Sequence, residues 1–304
     1  MSDVIDENPP TAGEVLQLEP DVRVLLAPNP SPMTYWGTNT YLLGHKEITV
    51  IDPGPMDEAH LEAILGALTP EQSIVQIIVT HSHKDHSPLA TPLKTKTGAE
   101  IIAFGRSDAG RSTAMSALLQ TSELGGGEGV DIDFNPDRVV ADGDHLAVEG
   151  RDLQVIHTPG HMGNHISLAW RDACFTGDHI MGWASSLVSP PDGDLTDFMA
   201  SCERLAQRSW RVFYAGHGAP ILNPNERLNW LITHRRGREA DILAALKKGP
   251  ATAGSLAALI YQDVNPKLLP AAERNVLAHL VDLFGRGIVK QQQAFEINAT
   301  FELM

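Results

Sequence analysis

Thr80-His81-Ser82-His83-Lys84-Asp85-His86 follows directly on the apolar run Ile74-Val75-Gln76-Ile77-Ile78-Val79. That run is β-branched and too short for a typical helix, so it reads as a buried strand. A strand ending in H-x-H-x-D-H delivers three imidazoles and a carboxylate into the loop at its tip. Neutral imidazole is the commonest nitrogen ligand for zinc, and a carboxylate is a hard partner for a second ion. Scattered histidines are usually satisfied residues without a role. Four potential ligands within six consecutive positions point instead to a metal centre.

Working outward, three more apolar runs end in a ligand. Leu153-Gln154-Val155-Ile156 leads to Thr158-Pro159-Gly160-His161, Ala173-Cys174-Phe175-Thr176 to Gly177-Asp178-His179, and Val212-Phe213-Tyr214-Ala215 to Gly216-His217-Gly218. If these tips share one edge of the fold, His81, His83, Asp85, His86, His161, Asp178 and His217 meet at one point. Glycine beside a ligand permits a sharp turn and close approach. Between the runs, Thr40–Gly44 and Glu47–Asp52 read as a hairpin, and Asp57 as the cap of a helix carrying Leu61, Ile64, Leu65 and Leu68. Gly125-Gly126-Gly127-Glu128-Gly129 lacks the Gly-Lys-Ser/Thr ending of a phosphate loop and reads as a flexible turn.

The 304 residues suffice for one large domain and a small one. No apolar stretch approaches 18 residues, and the acidic N-terminus lacks the apolar core of a secretory signal, so no membrane association is expected and the cytoplasm is the default compartment. Cys174 and Cys202 are too few for a disulfide framework. The formal charge of −15 favours cations and repels nucleic acid at long range. It is unevenly spread: residues 234–304 hold nine Lys and Arg against seven Asp and Glu, leaving 14 against 31 for the remainder. The expected organisation is an acidic lead-in over 1–20, a catalytic domain over 21–233 and a small domain over 234–304.

The ligand runs, with Gly37-Thr38-Asn39-Thr40-Tyr41-Leu42 and Val50-Ile51-Asp52-Pro53-Gly54 upstream, resemble the metallo-β-lactamase superfamily. Thr158-Pro159-Gly160-His161 with His165, Thr176-Gly177-Asp178-His179-Ile180-Met181-Gly182, Ala215-Gly216-His217-Gly218, and a tail containing His234-Arg235, Arg238-Glu239 and Asn275–Leu280 look like the lactamase-β-2-like subfamily. The resemblance implies an α+β protein: an αβ/βα sandwich with metals at one edge and a small C-terminal winged-helix-like domain. It also implies two divalent ions. His81, His83 and His161 would hold the first, Asp85, His86 and His217 the second, and Asp178 would bridge them. Zinc suits this mixed set, and iron and manganese can occupy it.

The expected activity is hydrolysis of a small carbonyl substrate (thioester, ester or lactone) by a hydroxide shared between the ions, with Asp85 as the catalytic residue that orients it. The animal member of the subfamily is a zinc-dependent endoribonuclease, so phosphodiester cleavage in single-stranded RNA is the alternative. A non-catalytic metal-binding regulator is the third. His165, His179, Met181 and Trp183 follow ligands closely and are candidate substrate contacts. Tyr35 and Trp36 stand as pocket wall or core filler, and Asp52 as an acceptor for a ligand ring or a strand-end turn residue. In the tail, helices at Leu228–Leu246, Thr252–Tyr261 and Ala271–Phe284 with a wing of Ile288-Val289 and Phe295-Glu296-Ile297 match a winged helix. Its last helix would expose Glu273, Arg274, Asn275, His279 and Asp282, a poor footprint for phosphates. DNA binding is therefore not expected, and the domain should shape the substrate cleft or make a homodimer contact.

Overall fold

Ile77 and Ile78 are adjacent in sequence, point to opposite faces of their strand and are both fully buried. Ile77 packs with Leu61, Ile64 and Leu93 of two helices, and Ile78 with Leu153, Val155 and Leu168 of a second sheet. A strand buried on both faces needs a layer on each side, and the computed structural model supplies them. It describes residues 9–121, 126–262, 265–291, 296 and 298–304.

The first sheet runs β1 (Val15–Glu19), β2 (Val22–Leu26), β3 (Asn39–Leu43), β4 (Glu47–Ile51), β5 (Ser73–Ile78), β6 (Glu100–Ala103) and β7 (Arg138–Val139), in that order. β1 to β4 pair antiparallel and β4 to β7 parallel. Helices α1 (Glu58–Gly66) and α2 (Ala90–Thr97) cover its outer face, and α3 (Thr113–Thr121) follows β6. The second sheet contains β8 (His145–Val148), β9 (Arg151–His157), β10 (Ile166–Trp170), β11 (Ala173–Gly177) and β12 (Val212–Ala215), with β12 at one edge and β8 at the other. Its outer face packs on α4 (Leu195–Leu205) and α5 (Pro224–Leu246) through Phe198, Cys202, Phe213, Leu228 and Leu231. The result is the αβ/βα sandwich. Alternation places Leu153 and Val155 between the sheets while Ile156 faces the helices.

α5 runs unbroken through residue 234 into the C-terminal domain. There β13 (Ala251–Thr252), α6 (Ala253–Ile260), α7 (Leu269–Gly285), β14 (Val289–Gln291) and β15 (Thr300–Leu303) form a winged helix. Its core reaches into the large domain, because Met115 and Leu118 of α3 pack with Ile242, Val276 and Leu280.

Three expectations change. Val15–Glu19, placed in the acidic lead-in, is an edge strand on β2, with Leu18 against the inter-sheet core. The strand returning beside β14 is Thr300–Leu303, whose Phe301 is fully buried. Residues 1–8, Gly125 and the wing positions 292–295 and 297 lie outside the described residues. Finally, the face of α7 expected in solvent is docked on the large domain. Asp282 accepts from Thr196 Oγ1 at 2.6 Å, Arg274 donates to Ser189 Oγ at 2.9 Å, and His279 is 2 % exposed.

Neither ring nitrogen of His279 has a hydrogen-bond partner among the described residues. Burial, reinforced by Arg235 and His234, pushes its pKa down to about 3. A depressed histidine contributes stability that is whole above the unfolded value of about 6.5 and is lost as pH falls towards the folded value. His279→Leu should therefore raise stability by about 1–2 kcal/mol at pH 7. It should also lessen the decline in melting temperature between pH 6.5 and 4. A melting series over that range checks both.

Candidate metal centre

Each ligand leaves the C-terminal end of a strand. His81, His83, Asp85 and His86 follow β5, His161 follows β9, Asp178 follows β11 and His217 follows β12. The tips meet because Asn39 N donates to Gly216 O and Gly216 N to Gly177 O, both at 2.8 Å, which ties the two sheets together beneath the loops. Glycine is required at Gly216. A Cβ there would stand 2.4 Å from Asp178 Oδ1 and 2.8 Å from His86 Cε1.

All seven expected ligands converge, in two groups. His81, His83 and His161 form one, and Asp85, His86, Asp178 and His217 the other, with ligand atoms in each group within 4.8 Å of one another. Asp178 stands between them. Its Oδ2 is 3.7 Å from His161 Nε2 and 3.3 Å from His217 Nε2, and its Oδ1 is 3.4 Å from His86 Nε2.

The ring orientations are fixed from behind. His161 Nδ1 donates to Leu187 O at 2.7 Å and His217 Nδ1 to Gly37 O at 3.0 Å, and a carbonyl can only accept. His86 Nδ1 donates to Asp52 Oδ2 at 2.9 Å. Thr80 Oγ1 gives its proton to Asp52 Oδ2 at 2.8 Å, so it accepts from His81 Nδ1 at 3.0 Å. In the neutral tautomer this leaves a lone pair on Nε2 of all four rings, aimed inward. His83 offers Nδ1, 3.0 Å from the Nε2 atoms of both His81 and His161. Two donors bound about 2.0–2.1 Å from one tetrahedral ion stand roughly 3.3 Å apart, so these spacings fit shared cations. Asp178 Oδ1 fits as well: it is buried with no hydrogen-bond partner among the described residues.

The two groups differ electrostatically. Burial, with neighbouring imidazoles, holds His81 well below the usual histidine range and pushes His83 down to about 3, so both of these rings are neutral. Burial also opposes charge on His86 and His217. There the carboxylates prevail: Asp85, Asp178 and Asp52 hold His86 well above its ordinary value, and Asp178 and Asp85 bring His217 to about 9. Burial would raise Asp85 and Asp178, but His86 and His217 outweigh it and keep both carboxyls ionised. The second group is thus built around positive charge, which protons or a cation can provide.

Beside His217 stands an aromatic wall. Trp183 stacks on Tyr35 and Tyr35 on Trp36, each pair with ring centroids 4.8 Å apart. A Cβ at Gly218 would touch Trp183 at 3.0 Å.

The sequence pattern of the metallo-beta-lactamase superfamily matches residues 33–217, well over half of the chain. The chain belongs to the metallo-β-lactamase superfamily. A second pattern, the beta-lactamase associated winged helix domain, matches residues 252–296. A beta-lactamase-like protein 2 homolog of Drosophila melanogaster is 32% identical over 285 residues, covering 90% of this chain and 91% of that protein. An atrochrysone carboxyl ACP thioesterase of Claviceps purpurea is 30% identical, covering 79% of this chain and 70% of the relative. Among solved structures, a metallo-beta-lactamase family protein from Thermus thermophilus superposes with a TM-score of 0.74 at 26% identity, covering 95% of this chain and all of that one. The chain is therefore a hydrolase of metallo-β-lactamase fold, and its His/Asp groups suit divalent metal ions. No described helix is long and apolar enough to cross a membrane.

Within this metallo-β-lactamase fold, the residues expected as substrate contacts are placed as follows. His165 is fully buried: its Nδ1 pairs with Thr158 Oγ1 at 2.9 Å, and its Nε2 accepts from the Asp178 backbone N–H at 3.2 Å. It braces a ligand from behind. His179 is fully buried against Phe198 and Cys202. Met181 is 5 % exposed. Trp183 is half-buried, as are Tyr35 and Trp36 in the same stack. Asp52 is the acceptor for a ligand ring, at φ +52. The carbonyls of Leu187 and Gly37 had no sequence signal, because any residue presents one.

Proposed function

We propose that this hydrolase cleaves a small acyl thioester, using two zinc ions held by His81, His83 and His161 on one side and Asp85, His86 and His217 on the other, with Asp178 between them. The observation that carries the reading is the pair of adjacent donor groups sharing one carboxylate. Two such ions would supply a Lewis acid for the carbonyl oxygen and lower the pKa of water from 15.7 towards about 7.

The chain's own side chains do the rest. Asp178, buried and ionised, balances the charge gathered at the centre. Asp85 is the one ligand carboxylate with substantial exposure, at 26 % of its side chain, so it faces the cleft. From there it accepts a hydrogen bond from the attacking water and orients it. Trp183, Tyr35 and Trp36 offer a flat apolar surface next to His217 for the acyl group. Thioester is chosen over ester and lactone because a relative covering most of this chain is named as an acyl-carrier thioesterase. The acidic composition weighs against a polyanionic substrate.

The test is a parallel assay of zinc-, manganese- and iron-loaded protein on an aryl acyl thioester, a lactone, a bis-aryl phosphodiester and a short single-stranded RNA. Thioester turnover should disappear on chelation and return with zinc. RNA cleavage with the thioester untouched would overturn the reading.

A further inference from the structure

The proton on His161 Nδ1 is held by the carbonyl of Leu187. That carbonyl shares one planar peptide unit with the N–H of Val188, which donates to Asn275 Oδ1 on α7 at 3.1 Å. The same Oδ1 accepts from Arg235 Nη1 at 2.8 Å, and Arg235 Nη2 donates to Ser186 O. Both groups facing Asn275 are donors, so the acceptor must be its oxygen. Arg235 is 2 % exposed, its guanidinium lies over the Phe198 ring at 5.1 Å, and no described carboxylate pairs with it. Its Nη1 and Nη2 groups are engaged with Asn275 and Ser186, and its Nε has no hydrogen-bond partner among the described residues.

A trans peptide is rigid, with its C=O and N–H on opposite edges. Turning the 187–188 plane would break the bond to His161 and the bond to Asn275 together. A hydrogen bond at the N–H edge also polarises the carbonyl and strengthens its grip on the imidazole.

We propose that Asn275 and Arg235 are positioning residues for the three-histidine half of the centre, so that the winged helix, through one peptide plane, sets how tightly His161 holds its ion. This rests on the reading of His81, His83 and His161 as a metal set. The side-chain contact of Thr196 Oγ1 with Asp282, elsewhere between the two domains, does not involve the 187–188 peptide and serves as a control.

The experiment titrates the full-length, metal-free chain with zinc against a competing chelator, and records the melting temperature of each metal-free variant. Asn275→Leu, close in volume and without an acceptor, should weaken by about 10–100-fold the zinc-binding step that His161→Ala removes, the usual effect of removing a group behind a ligand. The other step should change little. Asn275→Asp retains an oxygen for both donors and should keep the wild-type affinity. Thr196→Val should also leave it unchanged. If Asn275→Leu does not fold, Asn275→Ser, too short to reach the peptide, carries the same expectation. A purely structural role would lower melting temperatures and leave zinc affinity alone, and that result overturns the proposal. So does equal weakening by Asn275→Asp and Asn275→Leu. His161→Ala separates the two ideas. If it leaves zinc uptake intact, the metal reading itself fails. If it abolishes one zinc-binding step while Asn275→Leu is silent, only the positioning role fails.

Discussion

Asp178→Ala should lose bound metal and lower turnover by roughly 10³-fold, the scale on which a preorganised charged group acts in an active site. The reason is its position. Asp178 Oδ2 faces His161 and His217, and Oδ1 faces His86, so one carboxylate serves both donor groups. Without it, His86 and His217 keep Asp85 as the one carboxylate beside both Nε2 atoms. Asp178→Asn keeps the shape and removes the charge. It should fall near the alanine variant, because on the proposed two-ion reading repulsion between the cations would be offset by charge and not by volume. Metal content by elemental analysis and turnover on the same preparation check this. A variant that retains two ions and full rate would refute the bridging role.

Asp52→Asn is the second large effect, and it acts from behind the site. Asp52 accepts from Thr80 N at 2.7 Å, Thr80 Oγ1 at 2.8 Å and His86 Nδ1 at 2.9 Å. Through Thr80 it also sets the His81 ring. An amide at this point offers one oxygen and aims an NH2 group at donors. Metal affinity should fall about 10–100-fold, and the metal-free protein should lose about 2–4 kcal/mol, since bonds to a charged acceptor contribute about 1.5–3 kcal/mol each. Chelator competition and denaturant unfolding read the two quantities separately. Unchanged affinity with reduced stability would make Asp52 a turn residue only.

The ligand set was legible because each member is a side chain with a chemical signature at a strand end. An apolar run leading to a histidine or aspartate recurs four times, three times with a glycine just before it, and strands of one sandwich deliver their tips to a common edge. The buried strands were legible from their pattern, and the sandwich they build from the family resemblance of the motifs. Periodic burial distinguishes strands from helices, and runs such as Ile74–Val79 announce layers on both sides. The winged helix followed from three helical periods and a turn.

Three-dimensional placement alone decided the rest. His165 and His179 share their residue type and their nearness to ligands with His161, yet they lie fully buried, His165 between Thr158 and the Asp178 backbone and His179 against Cys202 and Phe198. The partners that fix the rings are partly backbone carbonyls of Leu187 and Gly37, which carry no mark in the sequence. Asn275 lies 114 positions after His161 and reaches it through a peptide plane that belongs to neither. Residue types determine which atoms can bind a cation. Only packing determines which face it, which brace it, and which are shut away from substrate, since those outcomes depend on contacts between segments that the chain order does not bring together.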